Sequence, residues 1–179
     1  MSEIKIRPVK PEEVEELWEI AFSDPNAAWT KLNGPYFHDD LPSKEDFINV
    51  LAYKNWINDP NRLIITYDDR IVGSVGANFE DGDLKRWLDM GITIYPEDMW
   101  DKHIGSQALK LFISYLFNLY DLPHVGLTTW SGDHRMMHVA QKIGMKEEAR
   151  IRQVRFYEGK YYDSMKYGVL RDEWSENNQ

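Results

Sequence analysis

The most apolar stretch of the chain, Leu109 to Leu119, sets the first limit on its fold. It carries Lys110 and Ser114 and is shorter than the roughly 20 residues a membrane-crossing helix needs, so it reads as a strongly apolar helix, Ser106 to Tyr120, in a water-soluble protein. Strand patterns stand on both sides of it. Before it, Arg86 to Tyr95 alternates, with Leu88, Met90, Ile92 and Ile94 on one face and Trp87, Asp89, Gly91 and Thr93 on the other. After it, Val125 to Trp130 sets Leu and Val without intervening charges, as a buried strand does. The remaining signals extend this mixture. Ile4 to Arg7 alternates up to Pro8. Val14, Leu17, Trp18 and Ala21 then recur at helical spacing behind Glu12 and Glu13, acidic residues that complement a helix N-terminus. Asp24 to Pro42 is loop-like but holds Trp29, Tyr36, Phe37 and His38, aromatics that either pack or line a pocket. Ser43 to Asp46 is a capping-box-like start to a helix bearing Phe47, Val50, Leu51 and Ile57. Leu63 to Tyr67 and Ile71 to Ala77 flank Asp68-Asp69-Arg70 as a hairpin. Asp133 opens a helix with Met136, Val139, Ala140 and Ile143, and Gly144 closes it. Two last strands, Ala149 to Tyr157 and Asp163 to Leu170, surround Glu158-Gly159-Lys160. The order β-α-α-β-β-β-α-β-α-β-β is a mixed α/β sheet and not a doubly wound one, because helices and strands do not alternate strictly. The length of 179 residues fits one ordinary domain, 1–179.

Charge and chemistry narrow the function classes. Thirty Asp and Glu against 21 Lys and Arg leave a formal charge of −9, which disfavours nucleic-acid backbones and anionic membranes and suits a cationic ligand. With no cysteine there is no disulfide framework, thiolate nucleophile or Cys-based zinc site. The start Met1-Ser2-Glu3-Ile4-Lys5-Ile6 has no signal-peptide core, so a cytoplasmic location is expected. His134 and His138 stand four apart, the spacing of a helical zinc pair, but Arg135 occupies the place of the metalloprotease Glu and no third ligand is evident. They read as surface histidines, and no metal is expected.

The segment Trp100-Asp101-Lys102-His103-Ile104-Gly105-Ser106-Gln107-Ala108-Leu109 follows a strand and opens a helix. Unsatisfied N–H groups at such a helix start can hold a diphosphate. Gly105 permits close approach of an anion, Lys102 and His103 add positive charge or donors, and Ser106 caps the helix or touches phosphate. Taken alone, the same residues describe any loop-to-helix junction.

Strand, anion loop, helix, strand, then an Asx-initiated helix ending Ala140-Gln141-Lys142-Ile143-Gly144-Met145 resembles the GNAT acyltransferase superfamily, in particular its branch of ribosomal-protein N-terminal acetyltransferases. Asp133-His134-Arg135-Met136-Met137 to Lys142-Ile143-Gly144-Met145 matches that branch's last motif, and Leu88-Asp89-Met90-Gly91-Ile92 to Pro96 its strand before the acyl-CoA loop. The resemblance covers nearly the whole chain. It implies a mostly antiparallel mixed sheet with a central splay and helices on both faces. It implies acetyl-CoA between Met90 to Ile94 and Leu127 to Trp130, with pantetheine on the backbone of Met90, Ile92 and Ile94. Diphosphate would lie on Lys102, His103, Ile104, Gly105 and Ser106, with Thr129, Asp133 and Arg135 nearby. Asp89 stands where the resemblance places an acidic residue near the acceptor amine, as candidate base; its alternative is a solvated or salt-bridged Asp, paired with Arg86.

The sequence also departs from the family. Trp100 and His103 replace an Arg or Gln and a Gly of the loop, Asp98 and Asp101 add negative charge there, and Asp133 replaces Asn. Ala140 stands where many relatives carry a Tyr acid; Tyr157, Tyr161 and Tyr162 are the other phenols considered. The expected activity is acetyl-CoA-dependent N-acetylation of a small-molecule or peptide amine by direct attack. A catalytically silent acyl-CoA-binding regulatory module is the alternative, and a carbohydrate-binding β-sandwich is poorly served by four patterned helices. Relatives often pair through terminal strands, so a homodimer stays open.

Overall fold

A computed structural model describes residues 2–177. One sheet runs through it in the order β1-β2-β3-β4-β5-β7-β6. β1 (Ile4–Arg7), β2 (Arg62–Tyr67), β3 (Arg70–Phe79) and β4 (Leu88–Ile94) pair antiparallel in succession. β5 (His124–Trp130) joins β4 in parallel, while β7 (Lys160–Leu170) separates β5 from the edge strand β6 (Lys146–Tyr157), antiparallel to both. The Asp68-Asp69 and Glu158-Gly159 hairpins both take positive φ at their two central residues, which suits the twist of the flanking strands.

Alternation along β2 and β3 feeds two cores. Leu63, Ile65, Val72 and Val75 face the long helix, whereas Ile64 and Ile71 face α1 (Val14–Ala21). On that second face α2 (Lys44–Asp46), capped by the Ser43 hydroxyl accepting from the Asp46 amide, runs through a π turn, Phe47–Leu51, into α3 (Ala52–Asn55). The wider turn moves the apolar stripe: Phe47, Ala52 and Trp56 are buried and Val50 is exposed, contrary to the helical spacing read from sequence.

α4 (Ile104–Leu119) crosses from β4 to β5 and buries Ile104, Ala108, Leu109, Phe112, Ile113 and Leu116. Each such large side chain contributes about 1.5–3 kcal/mol by leaving water. The helix begins two residues before the expected Ser106. α5 (His134–Lys142) starts on Asp133, whose carboxylate accepts from the Met136 amide at 3.0 Å. A helix absent from the sequence reading, α6 (Arg171–Asn177), buries Trp174. Arg171 at its start donates to the carbonyls of Phe117, Tyr120 and Leu122, satisfying the C-terminal end of α4. No helix among the described residues is long and apolar enough to cross a membrane.

Candidate active site

β4 and β5 stay paired only over Leu88↔Val125, Asp89↔Gly126 and Met90↔Leu127. Beyond Met90, β4 continues on β3 as far as Ile94, and β5 continues on β7 as far as Trp130. The two strands therefore part, and the β4 backbone from Gly91 onward has no strand on that side. A cavity of about 1110 Å³ opens there. That exceeds the roughly 300–1,000 Å³ of most small-molecule sites, so it has room for more than one compact ligand.

One end of the cavity is the start of α4. Asp101 and His103 both take φ of 60°, the left-handed region, and His103 forms the N-cap without a side-chain cap bond. Non-glycine residues thus adopt the bend that glycine makes easily, at a cost of about 1–2 kcal/mol each. The bend leaves first-turn N–H groups of α4 without intrahelical acceptors at the positive end of the helix dipole. His103, Ile104, Gly105 and Ser106 line the cavity; the Ser106 hydroxyl donates back to the His103 carbonyl at 3.0 Å. A Cβ at Gly105 would meet only the tip of Ile92, at 3.9 Å, so this wall is open.

α5 supplies cations across from that turn. Arg135 pairs with Asp101 at 2.8 Å and lies over the Trp100 ring at 5.0 Å. The Trp100 indole in turn donates to the Ile94 carbonyl at 2.9 Å, tying the loop to the end of β4. The Asp101 charge is thereby matched, and Trp100 orients Arg135. Lys142, one helix face along from Arg135, places Nζ 3.1 Å from Nδ1 of His103.

The other end holds Asp89. Its Oδ2 accepts from the Thr128 hydroxyl at 2.6 Å, and that hydroxyl accepts from Lys166 Nζ at 2.9 Å. Burial pushes the Asp89 carboxyl above the ordinary carboxylate range, against the opposing pull of Thr128 and Lys166. Among the described residues Arg86 makes no ion pair with it, and Lys166 and His124 are the cations that act on its charge. Aromatics from the 24–42 segment lie over the open mouth of the splay, Trp29 edge-on to Tyr95 just past β4 and Tyr36 edge-on to Trp130 at the end of β5. Trp29, Tyr36 and Phe37 line the cavity with Trp130, whose indole N–H donates to the Leu32 carbonyl at 2.8 Å and pins the segment in place. Burial raises the Tyr36 hydroxyl pKa, so the phenol stays protonated.

Such an arrangement sets anion-binding N–H groups and cations at one end of a cleft and a desolvated carboxylate at the other. Comparison with known proteins agrees with it. The acetyltransferase (GNAT) domain family matches residues 3–146. The chain belongs to the GNAT acetyltransferase family. It is 25% identical over 176 residues to a Bacillus subtilis (strain 168) protein named "Putative ribosomal N-acetyltransferase YdaF", covering 96% of this chain and 93% of that one. Its fold is also that of the Vibrio cholerae spermidine N-acetyltransferase solved with CoA and spermine, at a TM-score of 0.76 and 18% identity, covering 96% of this chain and 98% of that one. RimL, a ribosomal L7/L12 alpha-N-protein acetyltransferase solved with CoA, gives a TM-score of 0.72 at 18% identity, with 95% of each chain covered.

In this acetyltransferase the structure brings most of the residues singled out in sequence to one cavity: Asp89, Ile92, Ile94, His103, Ile104, Gly105, Ser106, Thr129, Asp133 and Arg135. Met90 and Lys102 do not line that cavity. Met90 is buried beneath the splay, because its backbone is still paired with Leu127 of β5, and the Lys102 ammonium rests near Met99 Sδ at 3.8 Å. The Asp133 carboxylate is committed to capping α5, and burial raises its pKa. Ala140 is wholly buried. Tyr157 and Tyr162 pack edge-on against Trp130, and Tyr161 is exposed; none of the three lines the cavity. His134 and His138 are both exposed, and the described residues hold no group of three or more potential metal ligands. Sequence reasoning missed Lys142, Thr128, Lys166 and Arg155. Lys142 was detectable as the residue seven after Arg135 on one helix face; the others meet only through sheet register.

Proposed function

We propose that this acetyltransferase moves the acetyl group of acetyl-CoA to a primary amine by direct attack within a ternary complex. The observation that carries the reading is the one cavity that joins the α4 N-terminus to Asp89 through the gap between β4 and β5. The first-turn N–H groups of α4, with Arg135 and Lys142, hold the diphosphate. Pantetheine lies along the free backbone edge from Gly91 to Ile94, as an added strand would. That leaves the thioester near Asp89. Asp89, directly or through a water, takes the proton as the amine nitrogen bonds to the carbonyl carbon. The carbon–sulfur bond then breaks, and the CoA thiolate leaves and takes up a proton. With no cysteine in the chain, the acetyl group does not pass through a thiol-linked acyl-enzyme. Similar proteins named for spermidine in one case and for a ribosomal protein in another support an amine as acceptor.

Calorimetric titration with acetyl-CoA, followed by thiol release with a panel of amines, tests the proposal. Saturable binding with amine-dependent release of free CoA is expected. Failure to bind acetyl-CoA, or binding without turnover on any amine, would overturn it.

A further inference from the structure

Although the chain carries a net charge of −9, cations collect around its cavity: Arg135, Lys142, Arg155 and Lys166 all line it. Arg135 and Lys142 stand at the α4 end, and Lys166 is engaged with Thr128 beside Asp89. Arg155 is engaged only by the aromatic wall, its guanidinium bonding to the Tyr36 hydroxyl. Among the described residues no carboxylate pairs with it, whereas Arg7, Arg135 and Arg150 each have one.

The fold goes out of its way to bring Arg155 there. On β6, Ile151 faces Ser164 and Arg155 faces Tyr162, so residues 152–154 answer the single residue Asp163 of β7. Asp163 secures this irregularity, accepting from the Gln153 amide at 2.9 Å and from Arg150 Nε at 2.5 Å, while Gln153 takes a φ of 56°. Bulges of this kind re-aim side chains. The Arg155 guanidinium ends 4.7 Å from the Tyr36 ring centre and 5.0 Å from that of Phe37, both cavity residues of the aromatic wall. Ring faces attract a cation without using its N–H groups; the Tyr36 hydroxyl takes up one part of the fork, and Nε is buried without an acceptor. A partly desolvated guanidinium is costly until an anion meets it, and its fork of donors matches a carboxylate.

Asp39 and Glu80 line the same cavity, so its wall carries both signs of charge. Such a wall fits a ligand that also carries both. We propose that the acceptor is a primary amine that itself bears a carboxylate, and that Arg155, backed by Tyr36 and Phe37, is the carboxylate subsite. The inference rests on the acetyltransfer reading above, with the amine directed to Asp89. It disfavours a polyamine, whose second ammonium would lie against Arg155.

The test compares acceptors in matched pairs, each a carboxylate and its amide: glutamate with glutamine amide, and the peptide amides Ala-Glu-Ala-Ala and Ala-Gln-Ala-Ala, with spermidine alongside. The first pair reports free amino acids and the second peptide N-termini. In at least one pair the acid should exceed the amide in kcat/KM by about tenfold or more, the range of a charge-assisted hydrogen bond. Arg155→Gln should bring that ratio to near one, mainly through KM, and Arg155→Lys should restore part of it. Arg152→Gln, an equal change in net charge at an exposed neighbour, should leave the ratio as it was. Equal rates for acid and amide in both pairs, spermidine as the best acceptor, or equal loss of the ratio in Arg152→Gln would each overturn the subsite. Calorimetry of the N-acetylated products with CoA present reads the same ratio without turnover. If no amine is acetylated, the reaction is wrong; the subsite then stands or falls on whether the acid product binds more tightly and loses that advantage in Arg155→Gln.

Discussion

Asp89→Asn separates a working carboxylate from a packing one, because the two roles predict opposite effects on stability. As the amine's base, Asp89 has no substitute in its Asn variant, and removal of a general base costs about 10²–10⁴ in rate. The low end applies here: the cavity is open enough to admit water as a substitute proton acceptor, and part of the acceptor amine is neutral at any pH. A fall of about a hundredfold in kcat/KM at neutral pH is therefore expected, with acetyl-CoA affinity kept, and the defect should shrink as pH rises and the amine loses its proton unaided. Stability should move the other way. Burial raises the folded-state pKa of this carboxyl above its unfolded value. The penalty for ionising it is thus absent below about pH 3.9, where the unfolded chain is protonated too, and grows as pH rises through the folded value. Asn keeps the acceptor oxygen for the Thr128 hydroxyl and carries no charge. The variant should consequently be more stable than the parent at pH 7 to 8 and lose that advantage near pH 4. Thiol-release kinetics and urea denaturation across that pH range supply both readouts. Unchanged kinetics at neutral pH would refute the base assignment, and a variant less stable than the parent at pH 7 would refute the desolvated carboxylate.

Three further outcomes follow from the same geometry. Gly105→Glu should fold at least as stably as the parent, since the position is open and an acidic side chain suits the first helical turn, yet lose more than tenfold in acetyl-CoA affinity by calorimetry. An unaltered affinity would remove the diphosphate from the α4 terminus. Gly126→Ala places a Cβ 2.6 Å from Asp89 Oδ1 and 3.2 Å from the His124 ring, so the carboxylate must shift; kcat should fall at least tenfold while circular dichroism stays that of the parent. At the β1 edge of the sheet, Arg7 grips Glu13 through two bonds of 2.8 and 2.7 Å, which hold the Glu13 carboxyl below its usual range. Glu13→Gln should cost on the order of 1 kcal/mol in urea denaturation at pH 7. Because the folded pKa is lowered, this difference should fade as pH drops below about 4.3.

What could be read from the sequence is what depends on one local period or one cap. β4 alternates against a single core, α4 is apolar over a length that only burial explains, and Ser43 and Asp133 cap the helices that follow them. The misread segments each obey a second influence. Residues 47–51 follow a π turn, which no 3.6-residue pattern anticipates, and Val50 ends up 54% exposed. α6 is short and charged; it exists because Trp174 reaches the core and Arg171 closes the end of α4. The Asp89, Thr128 and Lys166 chain depends on β5 lying parallel to β4 and antiparallel to β7, which brings Thr128 and Lys166 together across 38 residues. His103 shows the reverse case: it stands where the family has a glycine, and the fold imposes the left-handed bend on it and on Asp101 all the same.

Charge is the point on which sequence and structure lead to different substrates. A net charge of −9 suggests a cationic ligand, on the assumption that charge is spread evenly. Over distances of more than about 8–10 Å, salt screens that average strongly, so a bound molecule responds to the groups within reach and not to the total. Within reach in the cavity are Arg135 and Lys142 by the start of α4, Lys166 beside Asp89, Arg155 on the aromatic wall, and the carboxylates of Glu80 and Asp39. The surplus of acid lies instead on exposed turns and helix faces, where Glu15 and Glu19 pair with Lys44 and Asp69 pairs with Lys5. The surface thus carries the solubility charge, while the cavity wall holds both signs side by side: Arg135, Lys142, Lys166 and Arg155 with Asp39, Glu80 and Asp89. A ligand that bears both signs therefore finds partners for each in the cavity, which the net charge of the chain does not reveal.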